Sequence, residues 1–195
     1  MTAQVTRRRR RGSELEHAIL EAVREELAAV GYAGLTMDGV AARAQTSKPV
    51  LYRRWPSRAQ LVMAAMRRDV PSPGELPDTG ELRSDLVALL RRLARRFDDW
   101  PKGMIAGLLA ETLSDPELSV LIQDLFTGPM SQLAAEVLER AAARGEIHGE
   151  RLTPRIRRLP LDLLRSEVFL RGQAPPDLYI DQVVDEILLP LLHAI

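Results

Sequence analysis

Apolar side chains recur every three or four residues along most of this chain, which is the periodicity of an amphipathic α-helix. Between residues 82 and 97, for example, five leucines and a phenylalanine form such a stripe. Aromatic residues make up only 4% of the 195 residues, which argues against strands. The pattern predicts an all-α protein of about nine helices.

The composition also limits the chemistry that the chain can perform. It contains no cysteine and only three histidines, which lie far apart. Disulfides, thiolate metal sites and cysteine nucleophiles are therefore excluded, and no glycine-rich phosphate loop or Ser/His/Asp arrangement is recognisable. We expect no catalytic residue, no metal site and no cofactor, and so no enzyme.

Apolar stretches such as residues 104–110 are far shorter than the roughly 20 residues that span a bilayer. Acidic residues near the N-terminus interrupt any apolar core of a signal peptide. We expect a cytoplasmic protein with no membrane partner.

The net charge is zero, but the charges are unevenly distributed. Residues 1–70 hold 13 Lys/Arg and 7 Asp/Glu, whereas residues 71–195 hold 14 and 20. A basic segment attached to an acidic one is typical of a nucleic-acid-binding head on a separate body, although chance or an arginine-rich genome gives the same imbalance. We predict a disordered basic arm at 1–13 with five arginines, Arg7 to Arg11, a head at 14–70 and a helical body at 71–195.

The head contains two very short predicted helices joined by only Gln45 and Thr46. Thr36 can cap the first helix and Ser47 the second. Helices this short are unstable alone, so the helices before and after them must hold them in place. The arrangement is that of a helix-turn-helix, whose second helix enters the major groove of DNA.

Caps and breakers predict where other helices begin and end. A capping box of Ser13 and Glu16 opens the first helix. In the body, a helix is expected from Pro116 to about Arg144, with a break or kink at Gly128 and Pro129. Pro190 bends or ends the last helix.

The head also resembles a known family. The resemblance is carried by four short segments and Leu61: GY at 31–32, LTM at 35–37, VAARA at 40–44 and SKPVLYRRWPSR at 47–58. Together they resemble the DNA-binding domain of tetracycline-repressor (TetR) family regulators. The match covers about residues 14–62, with Tyr52 and Trp55 at the family's Tyr-x-x-aromatic positions. Many members have glycine in the turn where this chain has Gln45, which must accept a strained backbone or change the turn geometry.

The resemblance implies that the exposed side of the two short helices binds DNA. Helix starts and nearby arginines would contact phosphates, and the second helix would contact base edges and thymine methyl groups. The alternative for the charged residues of this surface is that they are ordinary solvated side chains. For the basic arm, contact with DNA and a role in solubility are both open. The implied DNA-binding residues are Thr36, Arg43, Ser47, Lys48, Pro49, Val50, Tyr52, Arg54 and Arg58.

The resemblance further implies a body that binds a ligand and dimerises. Methionine and aromatic residues at helical spacing suit an adaptable pocket, although such residues also fill ordinary cores. The candidate pocket residues are Met66, Phe97, Trp100, Met104, Leu108, Phe126 and Met130. Apolar residues of the last two helices are the candidate dimer interface, namely Ile156, Leu159, Leu163, Val168, Ile180, Val184, Ile187 and Leu191.

Together these features predict a ligand-responsive transcriptional regulator, a repressor, that acts as a homodimer. It would bind a pseudo-palindromic operator on double-stranded DNA and be released by a small-molecule effector. Two other interpretations stay open. One is a helical small-molecule carrier or enzyme with a vestigial head, and the other is a nonspecific architectural DNA-binding protein.

Overall fold

The computed structural model of the protein describes residues 12–68, 70–72 and 75–194, without the side chain of Phe126. Arg7 to Arg11 of the predicted arm lie outside the described residues. Within the described ranges, all regular structure is helical, which confirms the predicted all-α fold.

Four helices form the head, and α3 among them is only five residues long. The head helices are α1 (Ser13–Gly34), α2 (Met37–Arg43), α3 (Lys48–Tyr52) and α4 (Arg58–Arg68). The body begins with α5 (Leu82–Asp98), α6 (Met104–Thr112), α7 (Pro116–Thr127) and α8 (Pro129–Ala143). A 3-10 turn (Gly149–Arg151), α9 (Pro154–Arg171), α10 (Asp177–Gln182), a π-helical turn (Val183–Leu188) and α11 (Leu189–Ala194) complete it.

One predicted helix start is wrong, and one predicted interruption is present. The capping box at Ser13 does not form, because α1 begins at Ser13 itself and no side chain caps its first turn. The break predicted at Gly128 and Pro129 is confirmed, since the backbone of Gly128 is non-helical (φ −97°, ψ −107°) and Pro129 opens a separate helix, α8. Proline suits this first position because the amide that it lacks has no partner inside the helix.

The C-terminal helix continues past Pro190 instead of ending there. A proline ring excludes the carbonyl four residues before it, here that of Glu186. The π-helical turn at Val183–Leu188 lies directly ahead of Pro190 and includes this carbonyl. The wider turn lets the helix continue to Ala194.

Two buried clusters form the core, and neither matches the predicted division at residue 70. The first cluster joins the four head helices to α6 and α7, through residues such as Leu61, Met104 and Leu118. The second joins α5, α8, α9 and the C-terminal helices, through residues such as Leu89 and Val184. The helices α6 and α7 therefore share a core cluster with the head helices. The position of the domain boundary stays a prediction.

No helix among the described residues is long and apolar enough to cross a membrane.

Candidate nucleic-acid interface

The turn between α2 and α3 has the tight geometry expected of a helix-turn-helix. The Thr36 hydroxyl accepts a hydrogen bond from the Gly39 amide at 3.0 Å and so caps α2. Ser47 occupies the equivalent position before α3, but its side chain makes no capping hydrogen bond. Gln45 has φ 53°, so the turn uses a left-handed residue without glycine. Of the two alternatives for Gln45, the structure adopts the strained backbone.

Burial separates α3 into an inner and an outer side. Leu51 and Trp55 are buried in the first core cluster, as expected, and Val50 packs partly against it. Five of the predicted DNA-binding residues are exposed on or beside α3: Ser47, Lys48, Pro49, Tyr52 and Arg54. Exposed cations and an aromatic ring on a firmly packed helix suit contacts with phosphates and base edges.

Lys48 is paired with a carboxylate on the neighbouring helix. Its Nζ lies 2.7 Å from Oδ2 of Asp38 on α2 and 5.9 Å from the centre of the Tyr52 ring. The hydrogen bond to Asp38 raises the pKa of Lys48 above its usual value. The ammonium group therefore stays charged at the start of α3, on its exposed side.

Two arginines near α3 are held in the same way by α1. Arg43 contacts Glu26 at 2.8 Å, and Arg54 contacts Glu16 at 2.5 Å. These pairs join residues 17 and 38 positions apart. No local sequence pattern indicates such partners, and of the carboxylates involved only Glu16 has a predicted role, in a capping box.

Arg58 differs because its partners connect the head to the body. Its guanidinium forms an ion pair with Glu111 of α6 and lies 4.6 Å from the centre of the Tyr32 ring. The Tyr32 hydroxyl donates a hydrogen bond of 2.7 Å to the other carboxylate oxygen of Glu111. Burial, followed by this hydrogen bond, raises the pKa of Tyr32 above its usual value. We call this cluster of Tyr32, Arg58 and Glu111 the head–body clasp.

A small apolar cavity lies where the two core clusters meet. It encloses about 40 Å³, which is room for only a few water molecules. Four of the predicted pocket residues line it, namely Met66, Phe97, Trp100 and Met130.

The other predicted pocket residues lie elsewhere. Leu108 lines a second, smaller cavity together with Met66. Met104 is fully buried in the first core cluster and lines neither of these cavities, so its contact with a ligand stays a prediction. The side chain of Phe126 lies outside the description.

The predicted dimer residues separate into two groups. Val168, Ile180 and Val184 are buried in the subunit's own core, so the prediction that they form an interface is wrong. Four others are half-buried and Ile187 is exposed: Ile156, Leu159, Leu163, Leu191 and Ile187. Leu170, which the sequence analysis did not select, is 81% exposed on α9. Its spacing of seven residues from Leu163 places both on one face of α9.

Within the described residues, no group of three or more histidine, aspartate or glutamate side chains is arranged to hold a metal ion.

Two family models match the chain on the two sides of the α4–α5 connection. Residues 19–65 match "Bacterial regulatory proteins, tetR family", and residues 76–187 match "Tetracyclin repressor-like, C-terminal domain". The chain belongs to the TetR family. It is thus a helix-turn-helix transcriptional regulator, and ligand-responsive regulation is typical of this family.

Similar proteins support this assignment over nearly the whole chain. An uncharacterized HTH-type transcriptional regulator of Mycobacterium tuberculosis, Rv1556, is 33% identical over 83% of this chain and 80% of its own length. The DNA-binding transcriptional repressor TetR of Mycobacteroides abscessus is 32% identical over 94% of this chain and 96% of its own. The crystal structure of the TetR family transcription regulator SCO0332 superposes with a TM-score of 0.73 over 90% of this chain and 97% of its own. The two sequences are 29% identical.

Proposed function

We propose that this TetR-family protein is a homodimeric repressor that reads a pseudo-palindromic operator with α3 and is released by a small apolar or amphipathic effector. The observation that carries the proposal is the exposed side of α3: Lys48 and Tyr52 on the helix and Arg54 just after it are exposed, while the inner side of the helix is buried. Thr36, Arg43, Ser47, Pro49 and Val50 complete the proposed DNA-binding surface.

DNA binding would exchange ion pairs within the protein for contacts with phosphates. Lys48, Arg43 and Arg54 are each held by a carboxylate in the free protein. When these cations bind DNA, they must leave or share those carboxylates, while condensed counterions leave the DNA. We therefore expect the affinity for DNA to fall as the salt concentration rises. The fall should be less steep than the number of cations on the proposed surface would suggest, because these cations already have carboxylate partners.

Arg58 has a different role in this proposal. Its guanidinium is engaged by Glu111 and Tyr32, so a phosphate contact requires the head–body clasp to loosen. A phosphate contact for Arg58 remains a prediction, and it would make operator binding sensitive to the position of α6.

The effector would bind at the cavity between the two core clusters. A site for a small molecule usually has a volume of about 300–1,000 Å³, much larger than this cavity. An effector must therefore separate the helices around it, and α4 contributes Met66 to the wall. Because α4 begins at Arg58 beside the DNA-reading helices, its displacement would move the two heads of a dimer away from the spacing of one DNA turn, about 34–36 Å.

In vitro selection of duplexes from a random pool tests the DNA-reading proposal. We expect enrichment of a near-palindrome with half-sites one turn apart, and replacement of Lys48 or Val50 by alanine should change the preferred bases. Arg151→Ala, at an exposed position of the body, serves as the control and should leave the preferred bases unchanged. If no sequence is enriched over random DNA, the protein is a nonspecific architectural binder and the proposal fails.

A further inference from the structure

Among the described residues that form the wall of the cavity between the two core clusters, one has a charged side chain. This residue is Arg96 of α5. Its neighbours in the wall include the aromatic rings of Phe97 and Trp100 and the thioethers of Met66 and Met130. The site therefore combines an adaptable apolar surface with one permanent positive charge.

The arginines of α5 differ in their pairing. Arg83 lies 2.7 Å from Asp185, and Arg91 lies 2.7 Å from Asp181 on α10. Both pairs connect α5 to the C-terminal helices. For Arg96, no carboxylate lies within ion-pair distance in the part of the chain that the structure describes, and none lines the cavity. Arg96 is thus a cation beside an apolar wall, available to a ligand.

We propose that the effector is an apolar molecule with an anionic group, a carboxylate or a phosphate, and that Arg96 binds this group. The inference rests on the proposed effector site and specifies the chemistry of its ligand. A guanidinium matches a carboxylate or phosphate with two parallel hydrogen bonds. Close to an apolar wall this attraction exceeds its strength in water, whereas a cationic ligand is repelled.

The same geometry connects ligand binding to the head. With its anionic group at Arg96, the apolar part of the ligand would lie against Met66 and Pro71. Met66 belongs to the last turns of α4, and Pro71 follows that helix. A ligand anchored on α5 would therefore push against the helix whose other end begins beside α3.

Three probes with the same eight-carbon chain test the inference: octanoate, octanol and octylamine. Binding to the full-length protein is measured by calorimetry at neutral pH. We expect octanoate to bind about tenfold more tightly than octanol, the effect of about one charge-assisted hydrogen bond, and octylamine to bind least. Arg96→Met keeps an apolar side chain in the wall and should remove the preference for octanoate without weakening octanol. Arg95→Met, an exposed neighbour on the same helix, is the matched control and should leave the preference intact.

The outcomes separate this inference from the proposal on which it rests. If octanol binds as tightly as octanoate, or if Arg95→Met and Arg96→Met act alike, Arg96 does not select an anion and the inference is overturned. If none of the three probes binds, the proposed effector site itself is wrong. Circular dichroism of each variant, unchanged from the parent protein, ensures that a loss of binding reflects the site and not the fold.

Discussion

At the scale of single residues, the left-handed backbone of Gln45 is the clearest case in which the fold overrides a local preference. A residue with a Cβ atom is disfavoured at φ 53°, by about 1–2 kcal/mol relative to the right-handed region. The position persists because the amide of Thr46 donates a 2.9 Å hydrogen bond to the Ala41 carbonyl and so closes the turn. The packing of α2 on α3 offsets the strain.

We therefore expect Gln45→Gly to stabilise the protein by about 0.5–1 kcal/mol in denaturant unfolding, because glycine adopts this conformation without strain. Gly145→Ala is the reciprocal control. Gly145 also has positive φ, 80°, and no atom lies within 4 Å of an added Cβ, so any loss of stability there comes from the backbone alone. A loss of stability in Gln45→Gly would mean that the glutamine side chain itself stabilises the turn.

Tyr32 gives a prediction for pH. Its pKa in the folded protein is raised above the ordinary 10.0 by burial and by the hydrogen bond to Glu111. Above about pH 10 the unfolded chain loses this proton more easily than the folded protein does, so stability present below that pH is lost as the pH rises toward the folded pKa. Tyr32→Phe should reduce the free energy of unfolding by about 1 kcal/mol at pH 8 and weaken its decline above about pH 10.

Unfolding experiments at about pH 8 and about pH 11 measure both effects. Tyr52→Phe is the control, because it removes the hydroxyl of an exposed tyrosine outside the head–body clasp. An equal decline in Tyr32→Phe and the parent protein would show that the Tyr32 proton does not contribute.

At the scale of elements, α3 shows how a five-residue helix is maintained. An isolated helix of this length does not form in water. Leu51 is fully buried, and the capping interactions of α2 position the preceding turn. The inner side of α3 therefore determines whether the helix exists, while the outer side stays exposed.

Two adjacent substitutions separate these roles. Leu51→Ala should cost about 2–5 kcal/mol of stability, because it leaves a cavity in the first core cluster, and DNA binding should be lost with the fold. Tyr52→Ala should leave the unfolding free energy within about 0.5 kcal/mol and weaken operator binding. Thermal unfolding and fluorescence anisotropy measure the two properties. Normal operator binding by Tyr52→Ala would exclude the outer side of α3 from DNA contact.

At the scale of the whole molecule, the proposed dimer would have to use the apolar surface that one subunit leaves uncovered. Ile187 is 44% exposed and Leu170 81% exposed, whereas Val184 is fully buried. We expect a dimer at micromolar concentration, with α9 and the C-terminal helices of two subunits packed as a four-helix bundle.

Ile187→Asp should give a folded monomer in sedimentation experiments, because it places a charge in the interface without disturbing the subunit core. Val184→Asp should instead unfold the protein, since the charge would be buried in the second core cluster. Circular dichroism distinguishes the two cases. A stable dimer of Ile187→Asp would place the interface on another surface.

The sequence by itself determined the helical fold, the two short helices of the head and the residues on the outer side of α3. These features depend on caps, turn residues and apolar spacing within about 20 neighbouring residues, which are all visible in the sequence.

Only the tertiary structure decided which distant elements meet. It placed α6 and α7 in the core of the head, paired Arg58 with a carboxylate 53 residues away, and turned Val184 inward where periodicity alone favoured an interface. Periodicity defines an apolar side of a helix, but the partner of that side depends on how all the helices pack together. The free energy of that packing is shared among residues far apart in the chain, so no local segment of the sequence encodes it.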